Sequence, residues 1–186
     1  MLCKKHEDII GGGDDYAIRI CRTVEVELSD KPDQKVFSIP NRDPERLMHF
    51  IYASVWRHAV SSRTEKSKLE LGRYEEILRN ALLNGGPYEL QAIIGIENFT
   101  VNGIGRINLA IAPYRNRIEN INIWHFSIGG LSFYLSTDNR KFDRNWVPYL
   151  ANGNDPLIVS SIEAQDISKV PLLKPILQNM LDRQRG

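Results

Sequence analysis

The chain has 186 residues, with 24 basic and 23 acidic side chains and a formal net charge of +1. That balance argues against a whole-surface nucleic-acid binder, which carries a clear basic excess, and leaves room for a local basic patch. Two cysteines, Cys3 and Cys21, are too few for a disulfide framework and fit a reducing, cytoplasmic compartment, while no apolar run approaches a membrane span and none follows Lys4 and Lys5 as a secretion signal would require.

Gly11-Gly12-Gly13 interrupts the chain ahead of Asp14 and Asp15, residues favoured at an N-cap and in a first helical turn. Ala17, Ile20, Cys21, Val24 and Leu28 recur at helical spacing and predict a helix over 14–28, with Cys21 buried on its apolar face as an inert thiol. The stretch SDKPDQ at 29–34 reads as a turn, and KVFSIP at 35–40 as a short strand stopped by Pro40. The strongest helix signal follows: Asp43 as cap, Pro44 at the first helical position, then a stripe of Leu47, Ile51, Ser54, Val55, His58 and Ala59. A further helix is expected over 69–83, with Leu71, Tyr74, Ile77, Leu78, Ala81 and Leu82 on its core face and Asn84-Gly85-Gly86-Pro87 as its stop.

After Pro87 the character changes. Runs at 88–98, 106–114, 118–128 and 131–137 are rich in isoleucine, leucine and aromatics. Asn102-Gly103, Pro113 with Asn116, and Gly129-Gly130 separate them, the last as a two-glycine hairpin turn. Loops this short predict a four-stranded antiparallel meander. Residues 138–155 read as a polar loop, LIVSSI at 157–162 as one more strand, and VPLLKPILQNMLDRQRG as a C-terminal helix that starts or kinks at Pro175. Helices first and strands second imply an α+β fold, one domain with a mainly helical part over 1–86 and a sheet part over 87–186.

Cys3 and His6 have the spacing of half a zinc site, but Cys21, His49, His58 and His125 supply no second close pair, so no cofactor is expected and zinc stands only as a weak candidate. His58 lies on an apolar helical stripe and His125 in an apolar strand, and both read as core histidines. Arg57 beside His58, with Ser61-Ser62, would suit an anion, but a helix C-terminus repels one. There is no Gly-x-Ser-x-Gly elbow and no glycine-rich phosphate loop with its lysine, and the aspartates of GGGDD would repel a phosphate. No catalytic residue is assigned. The most interaction-like segment is NRKFDRNWVPY at 139–149: Arg140, Lys141 and Arg144 suit phosphates or an acidic partner, and Phe142, Trp146 and Tyr149 suit stacking or anchoring.

Cys3, Glu7, Tyr16, Ser54, Trp56, Arg57 and His58 carry a resemblance. The first 85 residues are similar to part of a family of uncharacterised bacterial and phage proteins in which an HNH-like, treble-clef zinc module precedes an LCxxCE knuckle, a tyrosine-bearing helix and an SvxWR helix. Two departures matter: His6 stands for the knuckle's second cysteine, and the half that would bring the other zinc ligands and the HNH-like histidine is missing. The resemblance therefore implies a derivative without the nuclease-like module. The expected function is that of a non-catalytic phage or mobile-element protein that binds a protein partner, as an inhibitor of a host defence complex, with the strand meander and the 139–149 loop as its surface. The alternatives are a zinc- and nucleic-acid-binding relative of HNH nucleases using His58 with Cys3 and His6, and an accessory subunit completed by a separate zinc-bearing chain. Nucleic acid is the less favoured partner, and no membrane is expected.

Overall fold

A computed structural model describes residues 4–30, 35–61, 70–101, 104–107, 109–153 and 155–166. Cys3 and the expected C-terminal helix lie outside them. The described residues start with a short helix, α1 (Lys4–Ile10), and the glycine run. Gly13 is where two backbones cross: a Cβ there would stand 2.5 Å from the Arg46 carbonyl oxygen and 2.7 Å from the Phe50 nitrogen. Helix α2 (Asp14–Asp30) follows, and Ala17, Ile20, Cys21 and Val24 are buried along one face as their spacing predicts.

Strand β1 (Val36–Ile39) leads to helix α3 (Pro44–Val60), where Asp43 accepts the Arg46 N–H at 3.0 Å and Pro44 occupies the first turn. Burial on α3 goes beyond the predicted stripe and takes in Met48, His49, Phe50, Tyr52, Ala53 and Trp56, because helices and sheet enclose it on several sides. Helix α4 (Tyr74–Asn84) is shorter than periodicity predicts. Gly72 has φ +56°, outside helical space, so Leu71 reaches the core from ahead of the helix. At the other end Gly85 turns left-handed at φ 70° and closes the helix.

The strands are β2 (Ala92–Val101), β3 (Ile104–Ile107), β4 (Ile111–Ile118), β5 (Ile121–Ile128), β6 (Leu131–Ser136) and β7 (Leu157–Asp166). They form a seven-stranded sheet of order β1-β7-β2-β6-β5-β4, with β3 paired to β2. The fold is α+β, and its sheet is antiparallel except where β7 runs parallel to β2. The meander comprises β4, β5 and β6, while β2 joins on the far side of β6, with Ala92 opposite Leu135 and Ile96 opposite Leu131. Gly129 and Gly130, both at positive φ, make the β5–β6 turn. Pro113 and Asn116, expected as a turn, lie inside β4 instead, and the true reversal is Glu119-Asn120. As the edge strand, β4 loses no ladder hydrogen bond to a proline, and its register slips between Ile111 and Tyr114.

Alternation along the central strands divides the core in two. Ile94, Ile96, Trp124, Phe126, Phe133 and Leu135 face the helices, and Phe50 of α3 packs edge-on to Phe126 and Phe133 at 5.9 and 5.4 Å between ring centroids. The other face carries Ile93, Ile121, Ile123 and Tyr134, which pack with Phe142 and Leu150 from the segment before β7. In the middle of that segment stands a 3-10 helix, Arg144–Tyr149, where a loop was expected. Among the described residues no helix is long and apolar enough to cross a membrane.

Candidate functional site

The 139–149 segment crosses the face of the sheet turned away from the helices. Its entry is fastened by Arg140, which grips the Asp138 carboxylate through Nε and Nη2 at 2.9 and 2.5 Å. The backbone N–H and Nδ2 of Asn122 donate to the same carboxylate, both at 3.1 Å. The Arg140 side chain and these N–H groups hold the Asp138 carboxyl well below the usual carboxylate range. Asp138 thus links the loop to the start of β5, and Arg140 is already paired with it. Phe142 departs from its expected role as a surface anchor: it is 5 % exposed, its ring lies in the back-face cluster, and its N–H donates to Gln91 Oε1 at 2.9 Å. Burying this ring as the chain returns to the sheet removes far more apolar area from water than a surface position would.

Asp143 caps the 3-10 helix by accepting the Asn145 N–H at 3.0 Å. Lys141 and Arg144 are exposed, as is Val147 at 48 %. Trp146 is half-buried against the back-face cluster, edge-on to Tyr149 at 6.3 Å, and its Nε1–H points to Glu119 at 3.4 Å. Between this helix and the sheet is a cavity of about 300 Å³, lined among the described residues by Trp146, Tyr149, Asn145, Ile93, Tyr134 and Ser160, with side-chain-free Gly95 also in its lining. Its lining is mainly apolar with a few hydroxyl and amide groups, the usual make-up of a ligand or anchor pocket.

A residue that local sequence patterns do not point to holds this helix in place. The buried Arg42 guanidinium donates to the carbonyls of Leu150 at 3.3 Å and of Ala151 and Gly153. The Asp155 carboxylate accepts the Arg42 N–H at 3.4 Å. Burial lowers the Arg42 pKa and the Asp155 charge opposes that fall. A lone arginine before a capped helix has no periodicity to betray this role, because its partners lie more than a hundred residues away.

Arg57 and His58 stand elsewhere, at the C-terminal end of α3. Arg57 forms a two-pronged pair with Asp14 at 2.9 and 2.7 Å, joining the start of α2 to the end of α3. His58 is half-buried, and burial lowers its pKa. Both border an open groove of about 680 Å³ whose opposite wall includes Pro113 of the edge strand and Ile128. His6 is exposed on α1, and no group of three metal-ligating side chains exists among the described residues.

The buried histidines serve architecture. His49 bonds the Ile9 carbonyl through Nε2 at 2.8 Å, so Nε2 carries a proton, and its Nδ1 meets the Tyr88 hydroxyl at 2.7 Å. His125 bonds the Tyr114 hydroxyl at 2.5 Å and stacks on Tyr134 at 4.4 Å. Cys21 donates its S–H to the Ile128 carbonyl at 3.5 Å, and burial pushes its thiol up to about 11. Comparison with protein-family models, curated proteins and solved structures returns no match to this chain.

Proposed function

We propose that the protein works by binding a protein partner on the face built by the 3-10 helix. The observation that carries this reading is the aromatic-walled cavity beneath Trp146 and Tyr149, in a segment that also exposes Val147 and the cations Lys141 and Arg144. An apolar socket with aromatic walls and a charged rim is the anatomy of an interface hot spot, where one buried side chain of the partner contributes most of the affinity. An inhibitor that occupies a contact surface of a larger complex would act in this way, and the phage-like resemblance of the first 85 residues is what points to a host defence complex as the target.

The test pairs the wild-type chain with W146A and with V147D. A partner recovered from host cells and then purified should bind the wild-type protein and lose about tenfold or more in affinity to each variant by calorimetry, with melting temperatures of the variants kept as controls. Variants that bind as tightly as the wild type, or recovery of no stoichiometric partner, refute the proposal.

A further inference from the structure

At the end of the sheet where β4 turns into β5 is a polar cavity of about 260 Å³ lined by Tyr74, Arg115, Asn116, Asn122, Trp124 and Thr137, among others, and two more arginines, Arg73 and Arg117, bond residues of that lining. Arg115 lies over the Trp124 ring, 5.3 Å from its centroid, and donates Nη2–H to the Glu70 carbonyl. Arg117, two residues on and on the same face of β4, donates Nε–H to Asn122 Oδ1 at 2.9 Å. Arg73, ahead of α4, lies over the Tyr74 ring at 4.9 Å and donates through Nη2 to the Tyr74 hydroxyl at 2.9 Å and to Asn139 Oδ1. All three guanidiniums are therefore oriented, and every one of these acceptors is neutral: a backbone carbonyl, two amides and a phenol.

Surface arginines commonly lie against carboxylates, as Arg57, Arg140, Arg46 and Arg79 do here. Among the described residues Arg73, Arg115 and Arg117 do not. Asp138, the nearest carboxylate to Asn122, is already neutralised by Arg140. Glu70 is the one acidic side chain among the described lining residues. Three fixed positive charges around a cavity with amide and hydroxyl donors make a focused positive field, and the guanidinium fork matches a tetrahedral oxyanion in two-pronged geometry.

We propose that this cavity binds a phosphate group, with Arg115 contacting its oxygens and Arg117 and Arg73 adding charge from beside the lining residues they bond. Neutral acceptors hold the guanidiniums in place without cancelling their charge, so the ligand pays little ordering cost. The site uses no residue of the 3-10 helix, and it stands or falls independently of partner binding there.

The test is an amide NMR titration of the full chain with inorganic phosphate against chloride at matched ionic strength. Acetate and a nucleoside monophosphate serve as parallel arms. Saturable shifts are expected at Asn116, Asn122 and Trp124, with a dissociation constant on the order of 1 mM at low salt. R115A should weaken binding about tenfold, R117A should weaken it two- to threefold through the lost charge, and E70Q should tighten it two- to threefold by removing the opposing charge, on the order expected for one partly solvated charge. Equal binding of phosphate and the nucleotide would mean that the phosphate alone is recognised, and tighter nucleotide binding that an attached ring is held as well; both support the site. Shifts that do not saturate, that persist unchanged in R115A and R117A, or that acetate reproduces at the same concentration overturn it.

Discussion

Replacing Arg42 with alanine is the sharpest probe of how the candidate interface is held. The side chain is 9 % exposed and supplies N–H groups to three carbonyls within 150–153, immediately after the 3-10 helix. Hydrogen bonds from a charged donor contribute about 1.5–3 kcal/mol each when their partner would otherwise be stranded. Recovering the hydration of the guanidinium offsets about half of the gross figure, since a buried charge carries a penalty of several kcal/mol. Leu150 itself is bridged to Ile93, and the Ala151 N–H is tied to the Ala92 carbonyl at 2.7 Å, so part of the loop keeps its anchorage. The net loss is then about 3 kcal/mol. Lysine should restore little, because one ammonium cannot span three carbonyls in a plane. The assay is urea unfolding followed by tryptophan fluorescence, analysed with a common slope for wild type, R42A and R42K. The same R42A protein should bind the partner of the 3-10 helix more weakly than its stability alone predicts. A loss below about 1 kcal/mol for R42A, or full rescue by R42K, would refute the view that this guanidinium is the clamp.

Gly13→Ala should cost about 2–3 kcal/mol, because its Cβ would collide with α3 backbone atoms at 2.5 and 2.7 Å that cannot swing aside. Gly12→Ala, whose nearest contact is the Ile9 carbonyl at 3.3 Å, should cost visibly less in the same denaturation assay. In a C3S background, Cys21 should resist a disulfide reagent at pH 8 and react at the rate of global or local opening, since its thiol is buried with a pKa raised to about 11; fast labelling of folded protein would contradict its placement. The Asp138 carboxyl is depressed by Arg140 and the N–H groups around it. Its contribution to stability is therefore present above the ordinary aspartate range and lost as pH falls through the lower folded value. A carboxyl carbon titration should find it still ionised at about pH 3, and R140A should return it toward the ordinary range.

What was legible from sequence is what depends on neighbours along the chain. Asp43-Pro44 starts α3 because a cap and a fixed φ act within one turn, and Gly129-Gly130 makes the hairpin because only a turn of that hand matches strand twist. The period of Ala17, Ile20, Cys21 and Val24 likewise marked their buried face, as burial follows helical geometry. The order of the strands, by contrast, was a decision of tertiary structure: nothing local says that β2 lies beside β6 while β4 takes the edge and tolerates Pro113. Phe142 and Trp146 stand four residues apart in one polar segment, yet one ring is buried in the back-face cluster and the other half-shields a cavity, because the path of the chain over the sheet, not their own composition, sets their depth. Arg42, Arg73 and Arg115 follow the same rule: each takes a partner from a distant part of the chain, and a charge acquires its role only when folding chooses what surrounds it.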